Sequence, residues 1–103
     1  MKKIFLIYST FPSKKEAEKC VLRLLEKKLI ACANFFESKS NYFWENRVVK
    51  EKEIICFMKT SRQKMKEAVL FLENIHPYKV PCVLFYEVKS AEKYYLWLKK
   101  ALL

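Results

Sequence analysis

Two stretches decide how the chain folds: Leu29-Ile30-Ala31-Cys32-Ala33-Asn34 and Ile75-His76-Pro77-Tyr78-Lys79-Val80-Pro81. The first carries an amphipathic helix straight into a strand without a glycine. The second sets the only histidine of the chain beside two of its three prolines and a tyrosine. Neither reads as packing filler, and each marks a change of hydrophobic period.

Upstream of the first stretch, Ile4 to Tyr8 is an unbroken apolar run, which predicts a strand buried on both faces. Thr10-Phe11-Pro12 breaks it. Ser13-Lys14-Lys15-Glu16 then fits a capping box, with the Ser13 hydroxyl accepting from a free N–H and Glu16 reaching back. Ala17, Val21, Leu24, Leu25 and Leu29 follow at helical spacing, with lysines opposite, and the helix ends near Lys28. Ala31 to Glu37 predicts a second strand. Asn41 to Lys50 predicts an extended arm, with Tyr42, Trp44 and Val48 on one face and Phe43, Arg47 and Val49 on the other. Apolar side chains on both faces of an arm call for burial that one small domain does not provide.

Glu53 to Lys59 predicts another strand. Thr60 or Ser61 caps a helix bearing Met65, Ala68, Val69, Leu72 and Ile75, which Pro77 ends, because the residue before a proline disfavours the helical region. Val80 to Val88 is the last strand, and Ser90 caps a C-terminal helix with Ala91, Tyr94, Tyr95, Leu98 and Leu102. The order is β-α-β-β-α-β plus a tail helix, an α+β, ferredoxin-like pattern with an extended β arm. The chain has no glycine. Positive backbone φ must then fall on other residues, with Asn46 and Asn74 as candidates, and every glycine-rich phosphate loop is excluded.

The 103 residues make a single domain, 1–103. Hydrophobic residues are 52% and aromatic residues 16% of it, which is more apolar surface than one small core absorbs and predicts an oligomer. The net charge of +10 would attract nucleic acid or anionic ligands, but its lysines are spread over helix ends and polar faces, so the charge reads as solvated surface. The basic-Gly-aromatic-small-Phe pattern of an RNA-binding sheet is absent from Ile54 to Lys59, and nucleic acid is not an expected partner. Cys20, Cys32, Cys56 and Cys82 form no Cys-x-x-Cys pair, and three of them fall in predicted strands. No stretch is long enough to span a bilayer, and the N-terminal apolar run is too short for a signal sequence. The expectation is a cytoplasmic protein with reduced thiols.

Read together, Thr10-Phe11-Pro12, Leu29 to Asn34, Ser40-Asn41-Tyr42-Phe43-Trp44, Glu53 with Lys59-Thr60, His76 to Pro81 and Tyr95-Leu96-Trp97 resemble the CutA family, the divalent-ion tolerance proteins. The resemblance runs from about Thr10 to Trp97. It implies a homotrimer shaped like the PII signalling proteins and an association with tolerance of copper and other divalent metals. The chain departs from the family pattern at three places. Cys82 stands where a Glu is usual, Asn46 where a Gly is usual, and Ser9 where some members carry a cysteine implicated in copper binding.

The site expectations follow from residue chemistry and from the resemblance. Cys32 is a candidate soft ligand for copper and His76 a candidate imidazole ligand. Against these stand a buried small hydrophobe at Cys32 and a helix cap at His76. Tyr42, Trp44, Tyr78, Trp97 and Cys82 would line an intersubunit cleft, together with Glu53 and Lys59, which are expected to pair. No cofactor is required, and any copper or other divalent metal would bind weakly. With one histidine and no aspartate, no catalytic set is apparent, and an enzyme is not expected. The remaining partner classes are further copies of the chain, a small anionic ligand or a partner protein in the clefts.

Overall fold

A computed structural model describes residues 2–103. The elements run β1 (Lys2–Phe11), α1 (Lys14–Glu26), β2 (Cys32–Trp44), β3 (Arg47–Thr60), α2 (Arg62–Ile75), β4 (Val83–Ser90) and α3 (Glu92–Ala101). The strands form one antiparallel sheet in the order β2-β3-β1-β4. This is the ferredoxin-like α+β arrangement, with α3 added.

Because strand side chains alternate, β1 splits its apolar residues between two faces. Ile7 and Phe11 face α1 and α2 and pack with Ala17, Val21, Leu24, Met58, Ala68 and Leu72 into the main core. Ile4 points the other way and packs with Leu98 of α3 and with Leu102, its C-cap. Further along that second face, Phe36, Leu84 and Tyr86 are exposed, and their ladder partners place them on one side.

The helix ends follow local chemistry. Ser13 caps α1 by accepting from the Glu16 N–H at 3.2 Å, and Ser61 caps α2 by accepting from Lys64 N–H at 3.2 Å. α1 closes in a Schellman turn, with Leu29 N–H donating to Leu24 O and Lys28 N–H to Leu25 O, both at 2.9 Å. Lys28 takes the left-handed conformation there, at φ 56°. Leu24 and Leu29, the two residues that this turn brings into contact, are both buried.

Several sequence expectations need correction. Strand β1 continues through Phe11, and the break falls at Pro12. The second strand and the arm are not separate segments. β2 runs unbroken to Trp44, turns at Glu45-Asn46, and returns as β3. Trp44 pairs with Arg47 and Phe43 with Val48 across the turn. Tyr42, Trp44, Arg47 and Val49 therefore share one face, and Phe43 and Val48 the other. A two-residue turn keeps its flanking residues on the same side, whereas simple alternation along an unbroken strand inverts everything beyond it. Asn46 has positive φ, as expected, but Asn74 lies inside α2, and Lys28 and Glu45 are the other non-glycine residues with positive φ. Strand β4 begins at Val83, so Val80, Pro81 and Cys82 belong to the loop before it. Ser90 does not cap α3. The cap is Ala91, without a side-chain bond, and the Ser90 hydroxyl donates to Ala91 O instead.

β1 pairs with β3 only from Ile54 to Thr60. The rest of the β2–β3 hairpin, 38–53, projects past the sheet as a two-stranded arm, and the molecule measures 45 × 25 × 21 Å. Phe43 at the arm's tip is 76% exposed. A free two-stranded ribbon is marginal in water, so this arm needs a neighbour to be rigid.

Candidate functional site

The root of the arm and the 76–82 loop meet in a groove. Tyr8 and Thr10 of β1, Ser40, Asn41, Tyr42 and Trp44 of β2, Glu53 of β3, and Tyr78, Lys79, Val80 and Cys82 of the loop line it, and its volume is about 480 Å³. That is the size of an ordinary small-molecule site. Five of the seven residues expected in a cleft converge here: Tyr42, Trp44, Glu53, Tyr78 and Cys82.

Glu53 sits at its base and is only 8% exposed. The Tyr78 hydroxyl donates to Glu53 Oε2 at 2.7 Å, and the Ser38 hydroxyl donates to the Glu53 carbonyl at 3.2 Å. Among the described residues no lysine, arginine or histidine comes within ion-pair distance of this carboxyl group. Its neighbours register the charge. Burial and the Glu53 bond push the Tyr78 hydroxyl well above its usual range. Burial, then Cys82, then Glu53 raise Tyr8, while burial and Glu53 raise the Cys82 thiol. At the groove's outer edge Tyr42 donates to Glu51 and is held up at about 12 by that bond.

His76 fixes the loop. Its Nδ1 accepts from the Tyr78 N–H at 3.1 Å, which places the ring proton on Nε2. Nε2–H is then shared between the Thr10 carbonyl at 3.0 Å and Ser9 Oγ at 3.1 Å. The Ser9 hydroxyl in turn donates to the Cys82 carbonyl at 2.7 Å. The ring stacks on Phe11 with centroids 4.5 Å apart. Burial lowers the imidazole's proton affinity, against smaller raising effects of the Thr10 carbonyl and Glu53. Both ring nitrogens are thus engaged in holding the loop to β1, with the Ser9 hydroxyl as one of the partners.

Cys32 lies elsewhere. It pairs with Lys59 across the ladder, whereas His76 sits at the level of Ser9 and Thr10, which pair with Cys56 and Ile55. The two are three rows or more apart, roughly 10 Å, and on opposite faces of the sheet. The expected Lys59–Glu53 pair does not form. The two residues are six positions apart on β3, roughly 20 Å along the strand. Lys59 Nζ instead lies 4.0 Å from Cys32 Sγ and 5.5 Å from the centre of the Tyr94 ring. Trp97 packs beside Tyr94 on α3, with ring centroids 5.5 Å apart. Within one chain, then, Lys59 and Trp97 stand apart from the groove. Among the described residues no three of His, Cys, Asp or Glu cluster as a metal cage.

A ferredoxin-like sheet with a projecting hairpin, and a groove at its root around one buried acid, defines a small α+β protein with a candidate binding groove. The chain belongs to the CutA1 divalent ion tolerance protein family, whose model matches residues 5–101. It is 39% identical to the divalent-cation tolerance protein CutA of Thermotoga maritima, over 97% of this chain and 100% of that one. Among solved structures it resembles the divalent ion tolerance protein CutA1 of Ehrlichia chaffeensis at a TM-score of 0.94 and 32% identity, over 100% and 98% of the two chains. The CutA of Archaeoglobus fulgidus, described as a periplasmic divalent cation tolerance protein, superposes at 0.91 with 33% identity over 99% of this chain and 100% of its own. No helix among the described residues is long and apolar enough to cross a membrane.

Proposed function

We propose that the chain serves divalent-cation tolerance as a PII-like regulatory homotrimer whose working part is the Glu53 groove. The observation that carries this reading is a groove of about 480 Å³ that gathers Tyr42, Trp44, Tyr78 and Cys82 around the buried Glu53. Trimerisation is supported by the arm, apolar on both faces, and by the exposed Phe36, Leu84 and Tyr86 on the open sheet face. Sedimentation at micromolar concentration should give three chains, and a monomer would remove that part of the reading.

Direct metal contact is the lesser part. Copper suits the half-buried Cys32 thiol, whereas His76 would join only by giving up its bonds to Thr10 or Tyr78, so affinity is weak. The reading assigns binding and no reaction, in the cytoplasm, where the four thiols stay free. The test is copper challenge of cells lacking their own protein of this kind. Glu53→Gln and Tyr78→Phe should lower tolerance while Cys32→Ser keeps it. The opposite pattern would make the protein a metal binder rather than a regulator.

A further inference from the structure

We propose that the groove takes a small organic ammonium ion, held by the Glu53 carboxylate and by the rings of Tyr8, Tyr42, Trp44 and Tyr78. The proposal rests on the regulatory-groove reading above and names its ligand class.

Two independent features lead to it. A carboxylate that is more than nine-tenths buried needs a compensating positive charge or a full set of donors. Glu53 has one donor, the Tyr78 hydroxyl on Oε2, and no cation from the described residues within ion-pair distance. Four aromatic residues, Tyr8, Tyr42, Trp44 and Tyr78, also line the groove, together with Thr10 and Ser40. Aromatic faces carry negative quadrupoles and attract a soft, weakly hydrated cation, the more so when water is excluded. A metal ion would find only one carboxylate, and an anion would meet the Glu53 charge. An ammonium group with an apolar shell uses both the acid and the rings.

The positive groups nearby do not cancel this. Among the described residues Lys79 is the only cation lining the groove, and it is exposed, on the 76–82 loop. The remaining excess of lysines acts across solvent, where fields decay over roughly 8 Å at physiological salt. The net charge describes the surface, whereas Glu53 sets the sign of this interior.

The experiment titrates tetramethylammonium, and separately its uncharged near-isostere tert-butanol, into the intact protein, followed by the aromatic and Trp44 indole NMR signals. For a five-heavy-atom cation we expect a dissociation constant on the order of 1 mM, with tert-butanol at least about tenfold weaker. Glu53→Gln keeps an acceptor for Tyr78 and so the groove's shape; it should weaken tetramethylammonium about tenfold or more and leave tert-butanol unchanged. Lys79→Gln should tighten the cation by about twofold, as removal of an exposed like charge does. Equal binding of both probes, binding indifferent to Glu53→Gln, or no binding at all because a neighbouring subunit fills the groove would each overturn the proposal. If tetramethylammonium fails while Glu53→Gln still lowers copper tolerance, the ligand class is wrong and the regulatory groove stands. If it binds while the groove variants keep full tolerance, the ligand class stands and the functional reading falls.

Discussion

Replacing His76 by alanine separates a structural tie from a free ligand. The ring joins three segments: the end of α2, the end of β1 through Thr10 and Ser9, and the groove loop through Tyr78 N–H. The shared Nε2–H bond and the Tyr78 bond contribute about 1 kcal/mol each, net of water. The Phe11 stack adds about 0.5–1.5 kcal/mol. A ring-sized void at a site 8% exposed adds a further cavity cost, which brings truncation to about 3–5 kcal/mol, the range for a buried aromatic. The assay is urea unfolding at fixed protomer concentration, since assembly makes apparent stability concentration-dependent. A second arm uses pH. His76 is held below its usual proton affinity in the fold, so the unfolded chain binds more protons than the folded one as pH falls past the unfolded value of about 6.5. Stability contributed by neutral His76 is thus full above that value and is lost progressively as pH drops toward the depressed folded value. Wild type should weaken from pH 7.5 to 5.5, and His76→Ala should lose this share of the slope. A cost below about 1 kcal/mol, or a wild type that gains stability on acidification through this window, would refute the structural role.

Two backbone positions give further expectations. Lys28→Gly should raise stability by about 1 kcal/mol in the same unfolding assay, because Lys28 holds the left-handed position of a Schellman turn, where a side chain costs about 1–2 kcal/mol and glycine nothing. The Glu45→Asn, Asn46→Gly double variant should also stabilise by about 1 kcal/mol, since both turn residues have positive φ and Asn-Gly is the preferred pair for such a hairpin; a loss of stability would show that the Trp44 indole bond to Glu45, at 2.9 Å, matters more than turn strain.

The sequence by itself determined the order of elements and the two helix starts. Those signals are local: the 3.6-residue spacing from Ala17 to Leu29, the unbroken run at Ile54 to Met58, and Ser13 and Ser61 beside free helix N–H groups. It also marked part of the groove, since Tyr42, Trp44, Glu53 and Tyr78 belonged to motifs and Cys82 was a departure directly after one. Which residues meet was decided by the tertiary structure. The two-residue turn at Glu45-Asn46 sets the register of the hairpin, and that register together with the course of the 76–82 loop brings Ser40, Tyr42 and Trp44 of β2 to one groove with Glu53 and Tyr78. Periodicity reports which side of a strand a residue faces only until the chain turns, so the arm's faces were read correctly up to Trp44 and inverted after it. The role of His76 was equally out of reach. A ring's nitrogens are free or engaged according to partners 66 and 67 residues away, Thr10 and Ser9, and only the packing of α2 against β1 brings those atoms to hydrogen-bond distance.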